Sequence, residues 1–405
     1  MITFADLLEA YYSCRQHKRN TANALLFEID YENKLLNLYR EIISGKYKTS
    51  RHIAFIVKRP VRREIFAADF RDRVVHHLVV NRFNPLFAKQ FIYDSYACRQ
   101  DKGTLFGIRR VARFTRQCSQ NYTKSAYVLK LDIKNYFVDI DKDILYQRLE
   151  KFAVAKYQKD DRDLLLWLCR EIIFNDPTVA CVRKSHPVEW QKLPPGKSMF
   201  GAVSSQKGLP IGNLTSQTFS NFYLDAFDHF VKHNLGIRYY GRYVDDMIIV
   251  HEDKEFLKKF IKIAANYLSD SLGLKVHPRK IYLQPIEHGV EFLGVRLFPP
   301  RIIMAKRIKK NISQKIRHCN WLVANNKFDD KIVKQKIRAS ANSYLGTIMH
   351  FDTYKYRQAL IDDKLVGNFK NYFAVAGGYK KIMISLIVIA DIIPVLHLLV
   401  ELTCF

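Results

Sequence analysis

Two adjacent aspartates, Asp245 and Asp246, end the sequence Tyr-Val-Asp-Asp and stand directly before the apolar run 247–250. This pattern predicts a hairpin turn that presents two carboxylates beside a strand. An aspartate pair is a weak signal by itself, because aspartates are common in turns. A third aspartate, Asp132, lies near the end of a strand-like segment, 127–133, more than one hundred residues earlier. Three carboxylates on neighbouring strands would form an oxygen-rich site of the kind that Mg²⁺ or Mn²⁺ prefers.

Such a site suits phosphoryl transfer. Two divalent cations roughly 4 Å apart can stabilise both the attacking and the leaving oxygen of an in-line displacement. One cation would activate a 3′-hydroxyl group and the other would hold a triphosphate. The alternative interpretation is three unrelated surface aspartates, and spacing alone leaves both interpretations open.

Three further residues could serve the same chemistry. Phe137 follows Asp132 closely and could close over a bound sugar, where it would exclude a 2′-hydroxyl group. Arg99 lies near Gly103, and basic residues beside a glycine can bind phosphate. Lys280 could act as a general acid towards a leaving group. Each also has an ordinary alternative, as a core aromatic, a surface arginine or an exposed lysine.

The overall charge indicates an anionic partner. The chain has 66 Lys and Arg against 39 Asp and Glu, a formal net charge of +27. A surplus of this size favours nucleic acid as the partner, with a membrane surface as the second candidate.

The cysteines and the chain ends indicate the compartment. The seven cysteines include no C-x-x-C pair, which disfavours a disulfide framework or a zinc ribbon and suits a reducing, cytoplasmic setting. We expect no secretory signal at residues 1–9. The apolar segment 382–400 contains Asp391, Pro394 and His397, which a membrane span would have to bury, so we expect a buried helix or a docking tail instead.

The apolar spacing indicates the elements that position these residues. It predicts helices over 1–45, 74–87, 163–174, 216–235 and 255–272, and strands within 51–63, 127–133, 239–250, 274–276 and 289–298. Asp141 is expected to cap the helix that follows it. This order suits the α+β class, with an antiparallel sheet backed by helices. Basic helices after Arg301 would suit contact with the phosphate backbone of a nucleic-acid duplex.

These motifs resemble those of reverse transcriptases with the right-hand polymerase fold. The segment 128–132 with Phe137 is similar to the first catalytic motif of that family, and residues 243–246 are similar to the second. Residues 289–297 (GVEFLGVRL) are similar to its primer-grip hairpin. The resemblance extends over about residues 58–360, and the motifs occur in the order that the family has.

The segment 208–217 (GLPIGNLTSQ) resembles one group within that family. Group II intron and retroviral enzymes typically have Gln-Gly where this chain has Ile211-Gly212. The Ile-Gly form resembles the related reverse transcriptases of diversity-generating retroelements. The segments 63–78 (REIFAADFRDRVVHHL), 95–104 (SYACRQDKGT) and 343–357 (SYLGTIMHFDTYKYR) also resemble that group.

The resemblance implies a role for each matched residue. Asp132 and Asp245 would bridge two Mg²⁺ ions, for which Mn²⁺ is a possible substitute, with Asp246 secondary and the carbonyl of Ile133 as a further ligand. Lys280 would be the general acid. Six residues would contact the incoming nucleotide: Arg63 and Arg99 at the triphosphate, Phe137 at the sugar, and Ile211, Gly212 and Gln217 at the nascent base pair.

The resemblance also implies partners and leaves alternatives. A bacterial or phage enzyme of this group would copy a template RNA from a DNA or RNA primer with dNTPs, make errors opposite adenines, and work with a small basic accessory protein. No endonuclease module is evident. The alternatives are a phage-defence reverse transcriptase of the abortive-infection type and a catalytically silent RNA-binding scaffold.

The expected domains follow the same resemblance. They are an N-terminal helical extension (1–45), fingers (46–125), palm with the first catalytic aspartate (126–145), a helical insertion of fingers or palm (146–207), palm with YVDD and the primer grip (208–298), a basic helical thumb (299–372) and a hydrophobic tail of unknown role (373–405).

Overall fold

The computed structural model describes residues 1–16, 21–58, 61–201, 206–325, 331–364 and 373–384. The chain divides into two compact units, residues 1–118 with 126–284, and residues 119–125 with the chain from 285 onward. Over the residues described, no helix combines the length and the apolar character that a membrane crossing needs. Most of the predicted apolar tail, residues 385–405, lies outside the described residues.

The first unit begins with three helices and a hairpin. Its elements in this part are α1 (Phe4–Arg15), α2 (Ala22–Glu28), α3 (Tyr31–Ile43), β1 (Ile53–Val57), β2 (Arg63–Ala67), α4 (Phe70–Gln90) and α5 (Thr104–Cys118). Strands β1 and β2 pair antiparallel, with Val57 opposite Arg63. The predicted end of α4 near Pro85 was wrong, since the helix continues to Gln90. Phe87 stacks on Phe83 within the helix and on Phe91 directly after it, and this packing offsets the hydrogen bond that proline removes.

The rest of the first unit carries the sheet. Its elements are β3 (Tyr127–Leu131), α6 (Tyr136–Asp139), α7 (Lys142–Lys156), α8 (Arg162–Ile173), β4 (Val182–Arg183), α9 (Pro187–Gln191), α10 (Leu214–Tyr223), α11 (Asp225–His229), β5 (Tyr240–Tyr243), β6 (Asp246–His251), α12 (Lys254–Leu272) and β7 (Tyr282–Pro285). A four-stranded sheet has the order β5-β6-β3-β7. Asp141 caps α7 as predicted, since its side chain accepts hydrogen bonds from the amides of Asp143 and Ile144.

Two predicted elements of this region differ from the structure. The helix expected over 216–235 is divided at Leu224 and ends in a π-helical turn over Phe230–Asn234. The strand expected at 274–276 is reduced to one bridge between Ile133 and Val276. Pro278 has no amide hydrogen to continue the β-ladder. The chain turns at residues 277–280, and β7 then forms the edge of the sheet.

The second unit, considered by itself, is a helical layer with short strands. Its elements are β8 (Val290–Phe292), β9 (Val295–Leu297), β10 (Ile302–Met304), α13 (Lys306–Ala324), α14 (Lys331–Ile348), α15 (Tyr354–Asp362), β11 (Phe373–Ala376) and β12 (Lys381–Ile384). The predicted hairpin at 289–298 is confirmed as β8 and β9. Phe373 and Ile382, from the start of the predicted tail, join the apolar core of this unit.

Candidate active site

Strand pairing brings the three aspartates to one end of the four-stranded sheet. Strands β3 and β6 are antiparallel with Leu131 opposite Met247, so the next residues along, Asp132 and Asp246, leave the pair at the same end. Strands β5 and β6 pair through Tyr243 and Asp246. Asp245 therefore lies in the two-residue turn between those strands, beside the other two carboxylates.

The turn at 243–246, which we call the acid turn, rests on a buried ion pair that sequence reasoning missed. Arg242 and Asp228 are both fully buried, with Nη2 2.6 Å from Oδ2. Arg242 Nη1 also donates to the carbonyl of Val244 at 2.9 Å. Val244 has φ +56°, a left-handed conformation that costs a β-branched residue energy, so this bond helps to hold the turn. An arginine within a buried strand and an aspartate within an apolar helix were the available signals.

The electrostatics of the acid turn favour a cation. Burial first, and then the neighbouring carboxylates of Asp132 and Asp246, raise the pKa of Asp245 to about 6. Lys280 Nζ lies 2.8 Å from Asp132 Oδ2, and Lys130 Nζ lies 3.2 Å from Asp246 Oδ1. Positive charge thus already neutralises two of the three acids.

The donor set fits a divalent cation by its chemistry, since carboxylate oxygens are what Mg²⁺ and Mn²⁺ prefer. In the part of the chain that the structure describes, no three acidic, histidine or cysteine side chains converge as a ready-made metal cage. Lys130 and Lys280 hold two of the carboxylates instead. Binding of a divalent cation at the acid turn would therefore displace Lys280 from Asp132 and Lys130 from Asp246.

A short bridge brings Lys280 to Asp132. The amide of His277 donates to the carbonyl of Asp132, and the amide of Lys134 donates to the carbonyl of Lys275, both at 2.8 Å. The amide of Lys280 donates to the carbonyl of His277, which closes the turn. The bridge therefore uses the carbonyl of Asp132 rather than the carbonyl of Ile133, the expected backbone ligand.

The turn at 208–213, which we call the nucleotide turn, joins Phe137 to the β1–β2 hairpin. The amide of Leu209 donates to the carbonyl of Phe137, and the amide of Phe66 donates to the carbonyl of Ile211, both at 2.8 Å. Gly212 has φ +125°, and a Cβ there would lie 2.7 Å from the carbonyl oxygen of Phe66, so this close approach requires glycine.

These contacts bring some of the predicted nucleotide-binding residues together. Phe137 and Ile211 are half-buried, and Arg63 begins the β2 strand on which Ile211 rests. Arg63 also acts on Asp245, whose pKa it lowers against the larger effects of burial and the two neighbouring carboxylates. Phe137, Ile211, Gly212 and Arg63 are thus linked to one another and to the acid turn.

The remaining two nucleotide-binding candidates lie differently. Gln217 is exposed on α10, with Oε1 3.4 Å from Cys98 Sγ. Arg99 donates to the carbonyls of Ile92 and Ser95 at 2.7 and 3.0 Å, and its guanidinium lies over the ring of Phe91. These contacts favour a structural role for Arg99 at the end of α4 over the expected triphosphate contact.

Comparison with known proteins supplies the family. The family model described as reverse transcriptase (RNA-dependent DNA polymerase) matches residues 58–297. Protein YkfC of Escherichia coli (strain K12) is 23% identical over 296 residues, which are 64% of this chain and 70% of that protein.

Among solved structures, apo telomerase from Candida tropicalis has a TM-score of 0.47 at 13% identity, over 83% of this chain and 63% of that one. Telomerase from Candida albicans in complex with a fragment of telomeric RNA has a TM-score of 0.45 at 12% identity, over 83% of this chain and 61% of that one. The chain thus spans less than two thirds of the length of these telomerases.

The family model covers more than half of the chain and contains both the acid turn and the nucleotide turn. The mixed helix-and-sheet architecture agrees with the right-hand polymerase fold. The chain therefore belongs to the reverse transcriptase family.

Proposed function

We propose that Asp132, Asp245 and Asp246 form the catalytic centre at which a primer 3′-hydroxyl group attacks an incoming dNTP. The observation that carries this proposal is the position of three carboxylates at one end of the sheet, where burial and the two neighbouring carboxylates raise the pKa of Asp245. Two Mg²⁺ ions held by these carboxylates and the carbonyl of Ile133, with Mn²⁺ as a substitute, would stabilise the attacking and leaving oxygens.

The chain's own residues then have defined tasks. Arg63 would neutralise the triphosphate, and Phe137 would lie against the sugar and exclude a 2′-hydroxyl group. Ile211 and Gly212, held against β2, would line the nascent base pair together with Gln217. Lys280, once released from Asp132, would give its proton to the departing pyrophosphate.

We further propose that the copying is adenine-directed and mutagenic, as in a diversity-generating retroelement. The support is Ile211, an apolar side chain on a turn whose backbone is fixed by Phe66. An apolar residue at this point cannot make the hydrogen bonds that a glutamine would offer near the nascent pair. The partners would be a template-repeat RNA and a small basic accessory protein.

We assign the domains on the same basis. The hairpin β1–β2 would belong to the fingers, and the sheet with the acid turn to the palm. Helices α13 to α15 would form the thumb. Within α13 the basic residues are Lys306, Arg307, Lys309, Lys310, Lys315 and Arg317. Such a helix suits contact with a phosphate backbone.

Primer extension on a defined RNA template tests the catalytic proposal. Wild-type protein should extend the primer only with Mg²⁺ or Mn²⁺, and Asp245→Asn should lower incorporation by roughly a thousandfold or more while the fold is retained. Extension without a template would indicate the phage-defence activity instead. A wild type that binds RNA but never extends a primer would indicate the scaffold.

Sequencing of the products tests the mutagenic proposal. Ile211→Gln should lower errors opposite template adenines by roughly fivefold, since a hydrogen-bonding group returns to the pocket. Ile211→Leu is the matched control and should keep the wild-type error spectrum. An Ile211→Gln spectrum identical to that of the wild type would exclude Ile211 as the source of the errors.

A further inference from the structure

The loop at 194–200, which we call the lysine loop, lies against two parts of the active site. Gly196 has φ +71°, and a Cβ there would lie 3.0 Å from Nδ2 of Asn135, a residue of the loop that follows Asp132. On the other side of Lys197, Ser198 Oγ donates to Glu64 Oε1 at 2.7 Å. Lys197 is therefore bracketed by the loop after the first catalytic aspartate and by the strand that begins with Arg63.

Glu64 fixes this loop. Its side chain is 3% exposed, and it accepts a second hydrogen bond of 2.7 Å from the amide of Met199. Both carboxylate oxygens are thus used on consecutive residues of the loop. Phe200 then packs on Phe66 of the same strand, with ring centroids 5.5 Å apart. A buried carboxylate with two hydrogen bonds holds a loop in one position far better than surface contacts do.

Lys197 itself is exposed, and in the part of the chain that the structure describes it forms no ion pair with a carboxylate. The amide of Lys197 donates to the carbonyl of Pro194, so the tight turn is closed while the side chain is left for other contacts. The charged groups that act on it are Lys280, Asp132, Asp245 and Arg63. These are the groups of the proposed catalytic centre.

The basic side chains around this centre favour the binding of an anion. Lys130 and Lys280 pair with two of the three carboxylates, and Arg63 and Lys197 interact electrostatically with Asp245. Bound divalent cations would add further positive charge. Partial desolvation lowers the pKa of Lys197, and repulsion by Lys280 lowers it further. A phosphate group placed beside Lys197 would relieve that repulsion.

We propose that Lys197 binds the β- or γ-phosphate of the incoming nucleoside triphosphate, together with Arg63, and that Glu64 is the residue that positions it. This inference rests on the proposed function of the centre. Because Glu64 ties the lysine loop to β2, Arg63 and Lys197 reach the triphosphate as one unit. The same contact would hold the pyrophosphate before it leaves.

Single-nucleotide incorporation by the full chain tests the role of Lys197. Lys197→Ala should raise the KM for dNTP about tenfold or more and weaken inhibition by inorganic pyrophosphate in proportion, since a charge-assisted contact is lost. Lys197→Arg should restore most of the affinity. Lys192→Ala, which changes an exposed lysine five residues before Lys197 and outside the lysine loop, is the matched control and should stay within about twofold of wild type.

Two results would overturn the assignment. One is a Lys197→Ala variant that matches Lys192→Ala in KM for dNTP. The other is a variant that weakens binding of the primer–template duplex while its KM for dNTP is unchanged, because Lys197 would then contact a nucleic-acid backbone. Both results require a wild type that extends the primer, so they differ from failure of the proposed function, in which the wild type makes no product.

A double variant, Glu64→Gln combined with Lys197→Ala, tests the role of Glu64. Glu64→Gln keeps the size of the side chain but can accept only one of the two hydrogen bonds, so the KM for dNTP should rise roughly threefold. In the Lys197→Ala background, Glu64→Gln should not raise the KM for dNTP any further, since the lysine that Glu64 positions is gone. Full multiplication of the two effects would exclude the positioning role, and thermal melting would confirm that both variants are folded.

Discussion

The acid turn and the nucleotide turn are both short and both essential to the proposed chemistry, but the molecule supports them in different ways. Beneath the acid turn lies a charged pair, Arg242 and Asp228. Asp228 accepts from Arg242 Nε at 2.8 Å and from the hydroxyl group of Tyr240 at 2.6 Å. The pair is therefore fully hydrogen-bonded as well as buried.

Beneath the nucleotide turn lies a polar cluster that is held neutral. Asn213 Oδ1 accepts from the amide of Ala68, and Asn213 Nδ2 lies 3.4 Å from His52 Nε2. Burial lowers the pKa of His52 to about 4 and that of His76 to about 3. Both histidines and Asn213 line one small cavity with Asp72.

The difference lies in what each support tolerates. A buried ion pair is strong when complete and very costly when one partner is lost. A neutral histidine cluster costs less to alter, but it loses stability when acid protonates the histidines. The support of the nucleotide turn therefore depends on pH through its histidines, whereas the support of the acid turn depends on keeping both charged partners.

The largest expected effect comes from the charged support. Arg242→Met leaves Asp228 buried without its partner, which should lower the free energy of unfolding by about 3–5 kcal/mol. The melting temperature should fall by on the order of 10 °C. Arg242→Met with Asp228→Leu removes both charges and should recover most of that loss. A single variant as stable as the wild type would contradict the comparison.

A smaller effect is expected from pH at the neutral support. The folded pKa of His52, about 4, lies below the unfolded value of 6.5, so the unfolded state binds more protons between these values. The stability that His52 contributes is therefore complete above pH 6.5 and is lost as pH falls towards 4, by roughly 3 kcal/mol at most. Thermal melting across this range measures it.

The control for this prediction is His52→Gln, which keeps an acceptor for Asn213. Its melting temperature should fall less steeply with acid than that of the wild type, whatever its stability at pH 7. Asp72 works in the opposite direction, because burial raises its pKa to about 6 and protonation then favours the folded state. Equal slopes for the variant and the wild type would show that His52 is not the group that titrates.

The sequence predicted those features that neighbouring residues determine. The hairpin with Asp245 and the cap at Asp141 follow from neighbouring residues, and the structure has both. The partner of Arg242 could not be predicted, because Asp228 belongs to a helix and only folding brings it beneath the strand. The lysine loop was missed for the same reason, since Glu64 is distant in sequence from the residues that it holds.

The smallest effect should come from the strain in the acid turn. Val244 has φ +56°, and a β-branched residue there costs about 1–2 kcal/mol that glycine does not pay. Since glycine also makes the unfolded chain more flexible, Val244→Gly should stabilise the protein by at most about 1 kcal/mol. Val154→Gly, at an exposed position of helix α7, should instead destabilise it by about 0.5–1 kcal/mol.

The kcat of Val244→Gly should fall, because a looser turn places Asp245 less well. Thermal melting measures the change in stability, and single-nucleotide kinetics measure the change in kcat. If Val244→Gly is destabilising to the same extent as Val154→Gly, the turn holds no strain, and the Arg242 bond to the carbonyl of Val244 has some purpose other than holding a strained turn.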